Sequence, residues 1–317
     1  MIKVLVVGVG AMGLDHAKAI ASIDGFEIVG LVARDFSRWS HVPPIFPDVP
    51  LYNEFYHALA HSKPDAVCIS SYTDTHAEYS IAAMEAGAHV FVEKPLATTV
   101  TDAKKVVEVA KKTNRKMVVG YILRHHPTWV KFIEIAKTLG KPVTVKMTSN
   151  QHSTGEAWET HKKILSAGLS PLIDCGIHYA DLMCQITKSE VINIIATGNI
   201  TSNEVSTQNE ANMEIVYQEG SRFYFESNWG ANVDPNFNNI RQAKGPNGTV
   251  IVGDDNSVHH NGKIYCFSKA EQNRTILNQQ EYFLKTIQDD IDLNDHWKAA
   301  ITSLELVFKA EDVMNFH

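Results

Sequence analysis

The sequence predicts an α/β protein: a doubly wound parallel sheet in the first 122 residues, then an α+β half with a mostly antiparallel sheet. Three observations predict it. From residue 3 to residue 120, short β-branched apolar runs alternate with segments of helical period, the order that produces a parallel sheet covered by helices on both faces. The first run ends in Gly8-Val9-Gly10-Ala11-Met12-Gly13, which places glycines at the first strand-to-helix turn. After Gly120 the chain turns strand-rich, with turn residues between the runs.

Taken in order, residues 3–7 read as a strand, 14–23 as a helix and 27–32 as a second strand, one βαβ unit. Residues 42–50 read as a loop, because Pro43, Pro44 and Pro47 remove backbone donors from any ladder. Strands at 66–70, 89–92 and 116–120 then alternate with helices at 75–86 and 101–113. Further on come a helix at 128–139, a strand at 142–149 and a helix at 172–186. Strands follow at 192–197, 212–217, 221–227 and 249–252, and a helix at 295–313 closes the chain. Gln218-Glu219-Gly220 and Asn247-Gly248 are turn signals, and the first marks an antiparallel hairpin. The change of pattern places a boundary near Leu123, dividing a nucleotide-binding domain, 1–122, from a second domain, 123–317.

The bulk composition excludes several classes of function. A chain of 317 residues exceeds one ordinary core, and 44% hydrophobic with 21% charged residues is a globular balance. A formal charge of -7 gives no general attraction to phosphate backbones, so no nucleic-acid partner is expected. The first residues lack the apolar core of a signal peptide, and no run approaches the ~20 apolar residues of a membrane span, so a cytoplasmic chain without a membrane partner is expected. Of the four cysteines none forms C-x-x-C, and Cys175, Cys184 and His178 lack a fourth ligand at a familiar spacing; no metal is expected.

The glycine turn carries a mechanism in this context. Gly8 permits the tight turn, Gly10 lets the backbone approach a pyrophosphate, and Gly13 lets helix and strand pack closely. The helix N-terminus at Ala11 and Met12 adds unpaired N–H groups and partial positive charge. These are the signs of a Rossmann domain holding NAD(P). The end of the second strand reports which nucleotide: an acidic residue there favours NAD, an arginine the 2′-phosphate of NADP. Arg34 lies 21 residues past Gly13 and Asp35 lies 22, so both readings have a candidate. Ala33 in the first post-strand position, followed by Arg34, tips the expectation to NADP.

Three further segments resemble the family of glucose-fructose oxidoreductase, inositol dehydrogenase and their relatives. Ala86 to Ala97, AGAHVFVEKPLA, resembles the family's A-G-x-x-V-x-x-E-K-P segment. Ser71-Tyr72-Thr73-Asp74-Thr75-His76 resembles its T-P-x-x-x-H loop, with Tyr72 where proline is common. Asp174-Cys175-Gly176-Ile177-His178-Tyr179-Ala180-Asp181 resembles its D-x-G-x-H-x-x-D segment. The resemblance implies cofactor contacts from Ser71, Thr73, His76, Glu93 and Lys94. It also implies a carbohydrate or polyol substrate, an open C-terminal sheet, and a homodimer or homotetramer packed through the outer face of that sheet.

Hydride transfer between an alcohol carbon and nicotinamide needs a group to accept or return the hydroxyl proton. Lys94 suits that role, because a lysine pKa falls readily on desolvation, and His178, with an ordinary pKa of about 6.5, suits a general base. Asp174 lies four residues before His178, so on an α-helix both project from one face, where Asp174 can orient the imidazole or bind substrate. Tyr121, Arg124, Trp158 and His161 join them as candidate substrate-binding residues; Arg124 and Pro127 resemble the family's R-x-x-P. Trp158 suits stacking on a sugar ring and equally suits a core. Lys162-Lys163 reads as a solvated helix face. One departure concerns the pocket: Ala167-Gly168-Leu169-Ser170-Pro171 stands where the family is glycine-rich. The expected activity is a dehydrogenase or reductase of a sugar or polyol. Its rivals are a non-catalytic nucleotide-binding regulator, glycosidic cleavage through transient oxidation, and reduction of a non-sugar compound.

Overall fold

The computed structural model describes residues 1–315. In chain order the elements begin with β1 (Ile2–Val7), α1 (Ala11–Ala21), β2 (Phe26–Val32), β3 (Leu51–Tyr52) and α2 (Phe55–Ser62). Next come β4 (Ala66–Ile69), α3 (Thr73–Glu85), β5 (His89–Glu93), α4 (Val100–Thr113) and β6 (Met117–Gly120). The second half adds α5 (Pro127–Ala136), β7 (Thr144–Thr148), β8 (Gln151–His152), α6 (Gly155–Ser166) and α7 (Ile177–Ile186). Strands β9 (Val191–Asn199), β10 (Glu210–Tyr217), β11 (Arg222–Gly230), β12 (Arg241–Gly245), β13 (Gly248–Val252), β14 (Val258–His260) and β15 (Lys263–Tyr265) follow. Helices α8 (Lys269–Asn273), α9 (Thr275–Gln288) and α10 (Asn294–Asn315) complete it.

The chain divides into two compact units. The first comprises Met1–His125 and Asn273–Ile301. Its six strands run in the order β3-β2-β1-β4-β5-β6, all parallel, which is the expected doubly wound sheet. The central strands are buried on both faces, as Val4 to Val7 and Ala66 to Ile69 show, so they read as continuous apolar runs rather than alternating ones. Phe283 of α9 packs on Phe26 and Phe91, with ring centroids 6.2 and 6.0 Å apart, and Trp297 of α10 donates its indole N–H to Met117 O at 2.7 Å. The expected division at residue 123 assigned all later residues to the second domain, whereas Asn273–Ile301 packs with the first unit. Helix α9 escaped the pattern reading because Gln279 and Gln280 occupy buried positions, at 1% and 0% exposure, where an apolar period would be sought.

The second unit, His126–Gln272 with the residues from Thr302 on, holds a sheet in the order β15-β14-β13-β12-β7-β11-β10-β9, with β8 pairing β11. Pairing is antiparallel except where β11 meets β7 and β8, so the expected open, mostly antiparallel sheet is present. The Tyr217–Ser221 turn closes with Tyr217 N–H on Ser221 O at 2.9 Å, and Gly220 takes φ +86°, which favours glycine. Strands β10 and β11 alternate buried with half-buried residues, placing Met213, Ile215, Phe223 and Phe225 on the core face.

Two histidines of the first unit give it a pH dependence. Burial, aided by Arg115 and Lys116, lowers the His89 pKa to about 4, and its Nδ1 accepts the Lys116 N–H at 2.9 Å. Burial, aided by Arg124, likewise lowers His125 to about 4. The unfolded chain therefore takes up protons first as pH falls, so this stability is present above about 6.5 and is lost between about 6.5 and 4. The melting temperature is expected to fall across that window. His89→Asn, which keeps an acceptor for Lys116 N–H without titrating, should flatten the slope; an equally steep fall in this variant would remove His89 as a cause.

Candidate active site

The strand order of the first unit reverses between β1 and β4, and the crevice outside the C-terminal ends of such strands is where open α/β sheets bind ligands. Gly8 leaves β1 at φ +87°, and a Cβ there would stand 2.5 Å from Ser70 O. At Gly13 a Cβ would stand 2.0 Å from Gly8 O, so the fold itself requires both glycines. Gly10 is different: a Cβ there would meet only the Trp39 ring, at 3.8 Å, an ordinary contact. Nothing in the chain's own packing demands glycine at position 10, which fits a backbone kept bare for a ligand. Helix α1 has no side-chain cap and no acid in its first turn, and α3 also lacks a side-chain cap. Glu54 caps α2 and Thr99 caps α4, while α5, α6, α7 and α9 also lack side-chain caps. Uncapped N-termini beside the reversal point suit the pyrophosphate of a dinucleotide.

Ala11 and Met12 are exposed in the first turn of α1. At the end of β2, Arg34 is exposed and its guanidinium lies over the Tyr72 ring, 5.1 Å from the centroid. The Asp35 carboxylate serves its own backbone: it accepts from Ser37 N–H at 2.9 Å and caps the short 3-10 turn Phe36–Trp39. The Ser37 hydroxyl, then the Ser37 N–H, with Arg38 nearby, hold its carboxyl below the usual range. Ser71 Oγ is 2.6 Å from Thr75 Oγ1, and Thr73 opens α3.

Two residues expected at the cofactor occupy interior positions. His76 is 2% exposed, its Nδ1 2.7 Å from Pro95 O and its Nε2 3.1 Å from Ser71 O. Glu93 is also buried; Oε1 lies 2.8 Å from His16 Nε2 and Oε2 accepts the Lys94 N–H at 3.2 Å. Lys94 itself follows β5 and is half-buried. Tyr121 is 1% exposed, beneath the Arg124 guanidinium at 5.3 Å, and Arg124 Nη1 lies 2.8 Å from His296 Nδ1. His16 and Trp39 went unnoticed in the sequence. The available signal for His16 was its place one turn after Gly13, on the buried face of α1.

In the second unit, Asp174 and His178 are both half-buried. They do not share one α-helix as expected: Asp174 belongs to a π-helical turn, Leu172–Gly176, that runs into α7, and such turns recur at functional sites. Gly176 makes the turn fit, since a Cβ there would stand 3.2 Å from the Phe225 ring. Trp158 is buried with Leu165 and Trp229, and its indole N–H donates to Glu204 at 3.0 Å, so it takes the core alternative. His161 stacks on Trp229 at 4.2 Å and 12°. The Ser153 hydroxyl donates to Gln151 O at 3.1 Å, so at 2.8 Å it accepts from His161 Nδ1, which leaves Nε2 as the unprotonated nitrogen. Burial lowers the His161 pKa, with Asp174 opposing the shift. Sequence reasoning missed Trp229 and Ser153, whose place under and beside His161 has no local signal. Lys162 pairs with Glu159 and Glu204, as a solvated helix face does.

Comparison with known proteins matches residues 2–121 to an oxidoreductase family with an NAD-binding Rossmann fold, and residues 133–259 to the GFO/IDH/MocA C-terminal domain. The chain belongs to the GFO/IDH/MocA oxidoreductase family. An inositol 2-dehydrogenase of Paracoccus denitrificans is 29% identical over 50% of this chain and 48% of its own length. A scyllo-inositol 2-dehydrogenase (NAD(+)) of Bacillus subtilis is 28% identical over 80% of this chain and 74% of its own. The chain spans about half the length of most curated relatives it matches. An oxidoreductase of Agrobacterium radiobacter, solved with NAD+, L-tartaric acid and magnesium, shares the fold: TM-score 0.84, 15% identity, 99% of this chain and 96% of that one. Among the described residues no helix is long and apolar enough to cross a membrane.

Proposed function

We propose that this GFO/IDH/MocA chain is an NAD(P)-dependent dehydrogenase or reductase acting on a hydroxyl or carbonyl group of a sugar or polyol. The observation that carries the reading is Lys94, half-buried at the C-terminal end of a strand in the same parallel sheet whose first strand runs into a glycine turn with a middle glycine the fold does not need. Residues 8–13 would hold the pyrophosphate, with Ser71 and Thr73 on its other side. The cofactor, when bound, accepts or returns a hydride. Lys94 would polarise a reacting oxygen and share its proton; in the second unit His178 is the candidate base in the oxidation direction and Asp174 the candidate to orient a hydroxyl. His161 Nε2 offers an acceptor to a further substrate hydroxyl. A screen of polyols and sugars with both nucleotides tests this; cofactor binding without turnover of any of them would favour the regulator.

The nucleotide we assign is NADP. The Ala33 side chain offers no acceptor for ribose hydroxyls, one oxygen of Asp35 accepts from Ser37 N–H, and Arg34 stands exposed over Tyr72. Arg34→Gln is expected to weaken NADPH about tenfold or more, ~1.4 kcal/mol, with much less effect on NADH. Fluorescence titration of both nucleotides reads this, and a wild-type protein that prefers NADH would remove Arg34 from the assignment. For assembly we propose a homodimer or homotetramer through the outer face of the second unit's sheet, where Ile195 of β9, paired with Glu214 on the face away from Met213 and Ile215, is 48% exposed.

A further inference from the structure

On either side of Lys94, a buried histidine grips the chain, and each comes from a helix that begins at a nucleotide-facing turn. Before it, Glu93 Oε1 lies 2.8 Å from Nε2 of His16, a fully buried residue of α1. The Gln280 side-chain amide donates to His16 Nδ1 at 2.9 Å, so the ring proton sits on Nε2 and is given to Glu93. The carboxylate is confined from behind, since a Cβ on Gly120 would stand 2.7 Å from Oε1. Its other oxygen accepts the Lys94 N–H itself. After it, Pro95 O lies 2.7 Å from Nδ1 of His76 on α3, whose Nε2 lies 3.1 Å from Ser71 O. Burial keeps the His76 pKa below its ordinary value, so the neutral ring gives its one N–H to the nearer carbonyl, Pro95 O.

We propose that His16 and His76 are positioning residues for Lys94, linking residues 8–13 and residues 71–73 to the two peptides that flank the lysine. Nucleotide bound at the glycine turn seats the N-terminus of α1, and through His16 and Glu93 this fixes the direction in which the lysine leaves β5. His76, carried on α3, which opens at Thr73, does the same through its N–H to Pro95 O. Neither histidine touches the nucleotide or the substrate: they are 0% and 2% exposed. The proposal rests on the reading of Lys94 as the proton-handling group, but its central measurement does not use turnover.

The full-length chain and the variants His16→Leu, His16→Gln, His76→Leu and His76→Asn are acylated with acetic anhydride, with and without NADPH. Lys94 labelling is followed by peptide mass spectrometry against exposed Lys18 as an internal reference. In the leucine variants the Lys94 labelling rate is expected to change about threefold or more, equivalent to half a pKa unit, and to lose its response to NADPH. NADPH affinity should stay within about threefold of wild type. Gln at 16 and Asn at 76, which keep an N–H donor, should restore both behaviours. Where a substrate is in hand, kcat is expected to fall about tenfold or more in the leucine variants with KM little changed. A folded leucine variant whose Lys94 labels at the wild-type rate and responds normally to NADPH overturns the proposal. If His16→Leu does not fold, Gln280→Leu, which removes only the donor behind the imidazole, must shift Lys94 labelling; no shift overturns it equally. Turnover in Lys94→Ala separately decides the reading of Lys94, so the two failures are distinguishable.

Discussion

Lys94→Ala is expected to lower turnover about 10²- to 10⁴-fold while NADPH binding remains measurable. The size follows from what is removed, the one amine at the end of β5 able to hold the proton of a reacting oxygen. The fold should survive, because Glu93 with His16, Pro95 O with His76 and the Lys94 backbone N–H with Glu93 still hold this segment in the variant. Initial rates with the best substrate, beside a fluorescence titration of NADPH, measure both quantities. Near-normal turnover would take Lys94 out of the mechanism; loss of nucleotide binding would make it a cofactor ligand first.

The glycines should separate folding from binding. Gly13→Ala is expected to cost about 3 kcal/mol or more of stability, because its methyl would lie 2.0 Å from Gly8 O, a backbone atom that the crowded Gly8–Ser70 approach leaves nowhere to go. Gly10→Ala meets only Trp39 at 3.8 Å, so its melting temperature should stay near wild type, within about 0.5 kcal/mol. Its NADPH affinity should drop about tenfold or more, since the methyl occupies the approach of the pyrophosphate. Thermal melting and NADPH titration on the two variants measure this. A Gly10→Ala protein that binds normally would show that the nucleotide does not approach this turn.

Much of the first unit was legible because its signals are local. A β-branched run followed by a glycine and a helical period reports backbone preferences, and these survive in any context. Helix α6 and strand β12 were not legible, and neither was α2, whose Glu54 cap belongs to no preferred capping type. The roles of single side chains were legible only in part. Tyr121 and Trp158 have the chemistry of pocket residues and are buried, and Asp35 has the type and spacing for a ribose and also caps a turn. In each case a neighbour distant in sequence, or a competing local bond, determined where the group went.

The sequence by itself determined the doubly wound sheet, the glycine turn at its first crossover, the antiparallel second sheet and the motifs that mark the family. Those features depend on φ preferences, on period and on residue order, all properties of short stretches of chain. Only the tertiary structure decided what surrounds Lys94. Glu93 meets His16 across 77 residues and Gln280 reaches His16 across 264, so no window of sequence contains the contact. It also decided that Gly10 is bare for reasons outside the chain's own packing, since that depends on the atoms that do not approach it as much as on those that do.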